Sequence, residues 1–274
     1  MMRFRKYIPE ELWDRLRRLP LWELAKYLLV MSALLWLLMD GAGEVGYNWQ
    51  WYRVPGYFGG FSEGGFTPGP LIKGLVVTLE ITGISLVLAS TIGLVTALLR
   101  LSGSPVARGV ARVYLELIRN TPLLVQLFFI YFVLSPILDM GRFMSAVLAL
   151  SLFEGAYASE IFRAGIVSVD RGQWEAALSS GLTRFQGYRY VILPQAIRRM
   201  LPPLTSQAIS LIKDSALVST IAIYDLTMEG QAIIADTYLT FEIWFAVAAI
   251  YLVLALLLSS VVHGMEKRMR DKAA

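Results

Sequence analysis

The sequence has no cysteine and a single histidine, His263, among its 274 residues. A disulfide, a thiol nucleophile and a cysteine-based metal site are therefore excluded. The one imidazole sits just past the last apolar run, where a surface or interface role is commoner than a ligand role. Charge is scarce too: charged residues make up 17% of the chain and hydrophobic residues 56%. Soluble domains carry about 25% charge. A chain so poor in charge stays folded without a polar coat when lipid covers it. No phosphate-cradling G-x-x-x-x-G-K-[ST] string occurs, and no Ser-His-Asp set can be assembled. Internal repeats and low-complexity tracts are also lacking.

What the chain does have is long apolar runs. A membrane-spanning helix needs ~20 mostly apolar residues, and six runs of that order can be marked: Leu21–Met39, Leu71–Leu99, Val110–Leu134, Phe143–Gly165, Leu204–Tyr224 and Glu242–Val262. All but four of the 25 Lys and Arg residues fall in alternate connecting segments. The exceptions are Arg53, Lys73, Arg142 and Lys213. By the positive-inside rule those segments are cytoplasmic, which places both termini inside. Clusters that alternate with spans read as membrane orientation and not as a nucleic-acid surface. The first run, preceded by a basic segment, has a cleaved signal peptide as its alternative. It ends in Met39-Asp40-Gly41 without a clear A-x-A site, so a retained anchor is expected. The Gly- and aromatic-rich segment between residues 41 and 70 is read as an external loop on lipid headgroups, with an external partner as the sharper reading.

Several residues inside the runs carry possible mechanism. Gly74, Thr78, Thr82, Ser85, Ala89, Gly93 and Thr96 recur at three- and four-residue steps and share one helix face. Small residues let helices approach closely in lipid. Arg119-Asn120-Thr121-Pro122 should kink the third span. With Gln126 nearby, that kink suits either a polar pathway or simple packing. Charges within spans are costly; the candidates are Glu80, Glu116, Glu154, Glu160, Lys213 and Asp214. Lys213 lies ten residues beyond Pro203, ~15 Å at helical rise and so near the membrane midplane. Ion pairs with Glu154 or Glu160, or a gate or solute site, remain the two readings there.

The segment from Arg163 to Pro203 is long, basic, amphipathic and too polar to span. A short helix over Gln173–Ser180, a break at Gly181 and a further turn are expected. Such an element offers a surface to a cytoplasmic partner, or else rests on lipid.

Glu175-Ala176-Ala177, then Gly181, then Val191-Ile192-Leu193-Pro194 resemble the EAA loop of ABC-importer permeases. That pattern is EAA, three residues, Gly, nine residues, Ile, any residue, Leu-Pro; Val191 replaces the usual isoleucine. The strings Asn120-Thr121-Pro122-Leu123-Leu124-Val125-Gln126, Gly172-Gln173-Trp174-Glu175-Ala176-Ala177, Leu193-Pro194-Gln195-Ala196 and Leu211-Ile212-Lys213-Asp214-Ser215 are similar to the polar amino acid permeases of the histidine and glutamine importer type. That family more often has Thr-Ser where Ser215-Ala216 stand. The resemblance covers the chain from about Leu71 to the last span.

The resemblance implies an all-α, polytopic membrane helix bundle: a five-span type I ABC-importer core with one extra N-terminal span. It divides the chain into an N-terminal anchor and loop (1–70), a permease domain (71–265) and a basic tail (266–274). It implies a multi-pass permease of the bacterial inner membrane that imports a polar amino acid by alternating access. The implied partners are separate ATPase subunits that use ATP and Mg, a second permease subunit, and a periplasmic or extracellular amino-acid-binding protein. Glu175, Ala176, Ala177, Gly181, Leu193 and Pro194 would couple the chain to the ATPase. Thr121, Gln126, Glu154, Glu160, Lys213, Asp214 and Ser215 are the candidates for the solute path or gate. No catalytic residue, metal or bound cofactor is expected in this chain. An ion-coupled secondary transporter is the rival class, and a membrane-embedded enzyme a further one.

Overall fold

The structure is a computed structural model that describes residues 26–33, 36, 46–62 and 65–271. Most of the expected first span lies outside the described residues; residues 26–33 are helical and exposed. A compact unit begins at Gln50. It opens with a 3-10 turn (Trp51–Arg53), helix α1 (Val54–Phe58) and an antiparallel hairpin of β1 (Gly59–Ser62) and β2 (Gly65–Pro68). The hairpin pairs Phe61 with Phe66, Gly60 with Thr67 and Gly59 with Pro68. The expected featureless external loop is thus partly ordered. Its aromatic and β-branched residues suit a short ladder, and Val54 is buried in an apolar cluster with Leu71, Leu226, Leu239 and Ile243. The backbone N–H of Gln50 donates to the Glu242 carboxylate at 2.6 Å.

Seven further long or short helices build the bundle. They are α2 (Pro70–Leu101), α3 (Pro105–Arg119), α4 (Leu123–Leu138), α5 (Arg142–Val167), α6 (Arg171–Ser179), α7 (Arg184–Gly187) and α8 (Leu193–Asp214). They are followed by α9 (Leu226–Thr237) and α10 (Thr240–Asp271). Among the described residues, α2, α5 and the part of α10 up to Val262 are long and apolar enough to cross a membrane. Helices α3 and α4 qualify together as one broken span.

Helices α2 and α5 form the central pair. Every member of the small-residue stripe on α2 is buried. Ser85 Oγ donates to the Val147 carbonyl, and Ser151 Oγ to the Ser85 carbonyl, both at 3.4 Å. A Cβ on Gly93 would lie 2.8 Å from the Ala158 Cβ and 3.0 Å from the Gly155 carbonyl oxygen. Small side chains have removed the spacing between the backbones, so dispersion and packing join the helices where lipid supplies no hydrophobic drive. Ile81, Leu127, Ala146, Val147, Leu150, Leu211 and Val218 extend this core to α4, α8 and the turn after it. By contrast α10 keeps Leu252, Val253, Leu256, Leu257 and Val261 exposed, as a lipid-facing helix does.

The kink expected in the third span at Pro122 is present, and α3 and α4 meet there at 105°. Pro122 lacks the donor that would continue the ladder, and α3 is strongly amphipathic. The fifth does not start near Leu204. Helix α8 begins at Leu193 with Pro194 in its first turn and contains Pro202 and Pro203. It gives way to a 3-10 stretch, Ser215–Ile221, that ends with Ala222 at φ 57. Ser215, Ser219 and Thr220 each donate to the carbonyl three residues back, a local competition that loosens α-helical bonding.

Candidate functional site

Two places collect the residues singled out from the sequence: a polar cluster between α5 and α8, and the segment α6–α7 that joins those helices.

In the polar cluster Glu154 is 2% exposed although it is ionisable. The Gln207 side-chain amide donates to one of its carboxylate oxygens at 2.5 Å, while Glu154 Oε1 has no hydrogen-bond partner. Gln207 and Asp214 lie seven residues apart, two turns along one face of α8. The Asp214 carboxyl interacts with that of Glu154. Glu154, Gln207 and Asp214 thus converge. Gln207 was not singled out from the sequence; its spacing from Asp214 was the available signal.

The other path candidates behave differently. Thr121 and Gln126 hold the bend. The Gln126 side-chain amide donates to the carbonyls of Ile118 and Thr121 and to the Thr121 hydroxyl, at 2.7 to 3.0 Å. Those are carbonyls that the break after Arg119 strips of helical partners, and in lipid they must be satisfied internally. Ser215 is fully buried and bonded to the Ile212 carbonyl. Glu160 does not meet α8: it pairs with Arg100 at 2.6 Å, Arg119 at 3.1 Å and Arg163 at 3.3 Å. Lys213 is exposed and forms no ion pair among the described residues. The ion-pair reading of Lys213 with Glu154 or Glu160 is therefore set aside.

The α6–α7 segment is built by capping. The Asp170 side chain accepts from the Gly172 N–H at 2.6 Å and starts α6. At the other end the Leu182 N–H bonds to the Ala177 carbonyl and the Gly181 N–H to the Leu178 carbonyl. With Gly181 at φ 80, this is the Schellman ending in which glycine avoids the left-handed penalty. A Cβ on Gly181 would meet nothing within 4 Å, so the backbone conformation alone sets the requirement for glycine there. Thr183 and Gln186 form a reciprocal capping box that starts α7.

Ala177 is buried, 4% exposed. A Cβ on Gly187 would sit 3.5 Å from its methyl and 3.6 Å from the Trp174 ring. Ala177 therefore packs α6 on α7 and does not present an outer surface as expected. Glu175, Ala176, Leu178 and Phe185 are exposed. The Trp174 ring packs at a 60° tilt on Tyr188, with 5.4 Å between centroids, and the Tyr188 phenol is pushed above its ordinary pKa by burial. A small apolar cluster of Val169, Ile192, Ala196 and Met200 fixes the segment to the ends of α5 and α8, and Gln195 donates to Gln173 at 3.1 Å. Leu193 is half-buried and Pro194 exposed where α8 begins.

A profile of the family described as "Binding-protein-dependent transport system inner membrane component" matches residues 89–271. The chain belongs to that family. Among its relatives the glutamine transport system permease protein GlnP of Escherichia coli K12 is 43% identical over 203 residues, which cover 73% of this chain and 93% of GlnP. The L-cystine transport system permease protein TcyB of Bacillus subtilis is 44% identical over 73% of this chain and 86% of its own length. The fold matches a chain of an amino acid ABC transporter solved with histidines, at a TM-score of 0.68 and 42% identity, over 73% of this chain and 94% of the other. A bacterial alginate ABC transporter, 16% identical, shares the fold over 94% of this chain at a TM-score of 0.61. This family member is thus a helical permease subunit of a binding-protein-dependent importer, and its polar cluster and α6–α7 segment are features of a transport protein.

Proposed function

We propose that this permease imports a polar amino acid, that its α6–α7 segment docks on a separate ATPase, and that the Glu154–Gln207–Asp214 cluster contacts the solute. The observation that carries the reading is the α6–α7 segment, which exposes Glu175, Ala176, Leu178 and Phe185 while its inner face is locked to α5 and α8. Glutamine and cystine in the relatives' names and histidine in the solved neighbour all carry an ammonium and a carboxylate. The Glu154 carboxylate is an acceptor for such an ammonium. Docking forces enter at α6 and leave through α5 and α8, so closure of an ATPase pair tilts the walls of the cluster and exchanges its accessibility, a hinge-type switch. Glu175 and Ala176 make the contact; Ala177 and Gly181 shape it; Leu193 and Pro194 start the helix that receives it.

In the proposed orientation α6–α7, the chain termini and the basic clusters lie in the cytoplasm. The hairpin end then lies outside, where a binding protein delivers the solute. ATP and Mg are bound by the partner ATPase, and a second permease, identical or sibling, completes the path. The test is reconstitution of the full transporter in vesicles, with uptake of labelled glutamine, cystine and histidine and the ATPase rate measured together. The expected result for Gly181→Asp is normal insertion with uptake lost and with hydrolysis no longer stimulated by loaded binding protein. Uptake that needs no ATP and collapses with the ion gradient would overturn the importer reading in favour of a secondary transporter.

A further inference from the structure

Helix α3 is divided lengthwise into two faces, one basic and one apolar. Arg108, Arg112, Leu115, Glu116 and Arg119 recur at three- and four-residue steps and share a face. Val106, Val110, Val113 and Leu117, 59% to 75% exposed, fall on the opposite face, roughly half a turn away. The basic face lines a cavity of about 360 Å3, in the size range of small-molecule sites. Its remaining walls are Arg100 and Leu101 at the end of α2 and Glu160 and Arg163 on α5. No member of the valine stripe lines it.

Charge in the cavity is unbalanced. Five arginines face two carboxylates, an excess of three positive charges. Both carboxylates are engaged: Glu160 by three of the arginines, and Glu116 by the Asn120 side-chain amide at 2.8 Å. Arg108 and Arg112 have no ion-pair partner among the described residues. Their placement is unfavourable for the helix itself. Like charges four residues apart on a helix repel. Arg108 also closes the first turn of α3, where the helix dipole disfavours a cation. An anion bound between the two arginines offsets both repulsions.

We infer that this cavity binds a small, multiply charged phosphate anion, inorganic phosphate or diphosphate, held by Arg108 and Arg112 together with the arginines of α2 and α5. Guanidinium forks match phosphate oxygens in geometry and charge. The walls also decide against an anion with an apolar body. Leu101 and Leu115 are their only apolar members among five arginines and two glutamates, and the exposed valines point the other way. The ligand is therefore a soluble anion. In the orientation proposed above, the cavity lies on the cytoplasmic side; the binding itself does not depend on that orientation. The anion joins α3 to the ends of α2 and α5. Arg163 lies one turn before α5 ends at Val167 and the chain passes into α6, so an occupied site steadies the helix end that carries the docking segment.

The experiment is titration of the purified full-length permease in detergent with inorganic diphosphate, followed by calorimetry and by thermal unfolding. The expected result is saturable binding, one anion per chain, with a melting temperature that rises as the site fills. Arg108→Gln with Arg112→Gln should weaken the binding about 10- to 30-fold, the loss of two ion pairs at exposed positions. Its melting without diphosphate should match that of the unaltered chain, since both side chains are exposed. Arg108→Gln alone, the milder change, should weaken the binding about 3- to 5-fold. Val110→Asn with Val113→Asn should leave it unchanged. Absence of saturable binding by the unaltered chain would overturn the inference. So would equal stabilisation by sodium chloride at matched ionic strength, or loss of binding in the valine variant. If the arginine variant binds diphosphate fully but no longer retains the ATPase, the arginines belong to a protein contact and the inference falls. Saturable binding by a chain that imports no amino acid would count against the proposed function alone.

Discussion

Gly93 and Gly181 sit in regions of opposite character. At Gly93 the backbone conformation is ordinary and the space is full: an added Cβ would overlap Ala158. At Gly181 the space is empty and the backbone is unusual, at φ 80. The α2–α5 seam is consequently a rigid contact with no slack, because close-packed interiors switch between discrete arrangements and do not deform smoothly. The α6–α7 segment is a shaped element held at its inner face by a handful of apolar residues, with its outer face free. In the proposed coupling, force applied to the loose element is delivered to a stiff pair, which is the order a lever requires.

The contrast can be broken at its stiff end first. Gly93→Leu should overpack the seam and cost about 3 kcal/mol, so that little folded protein survives extraction; thermal unfolding in detergent checks this. Ala177→Asp should place a carboxylate between α6 and α7, detaching the segment locally. Folded spans should persist while uptake and stimulated ATPase fall together in vesicles. Gly181→Ala should cost roughly 1–2 kcal/mol through the left-handed backbone alone, with uptake reduced severalfold and the melting of the bundle unchanged. If Gly181→Ala destabilises the whole bundle as much as Gly93→Leu does, the two regions are one cooperative unit and the contrast is lost. Glu175→Gln should have the smallest effect. At an exposed position it should change stability by less than about 0.5 kcal/mol, and show only as weaker ATPase association in a pull-down titration.

The sequence was legible where one residue type had one physical use. The small-residue stripe from Gly74 to Thr96 named its own buried face, and the helix and glycine signals placed α6 within two residues, with a further turn after Gly181. It was less legible where a side chain's partner is distant in the chain. Glu160 was placed near α8 because an ionised group inside a span needs a partner, but the choice between Lys213 and the three arginines it meets depends on how α2, α3 and α5 converge. Thr121 and Gln126 read as pathway residues because polarity within a span has two uses, solute contact and repair of a broken backbone. Only the 105° bend shows that the second one claims them. Ala177 illustrates a third limit, since smallness serves a tight outer contact and a tight inner one equally well. The hairpin at residues 59–68 was hidden by a composition of glycine and aromatics that suits both an interface loop and a short ladder.

Two stretches of the chain, Phe129–Leu134 and Tyr188–Ile192, are π-helical. A π turn closes i→i+5 bonds and so holds one residue more than the α turn it replaces. Each stretch is, in effect, an insertion absorbed without breaking the helix. Removing a single residue from either should restore ordinary α winding and leave the helix beyond it facing as before. Alignments of such permeases should therefore show one-residue gaps at these two places more readily than elsewhere in the helices, and chains with a gap at 188–192 should keep the aim of their docking face.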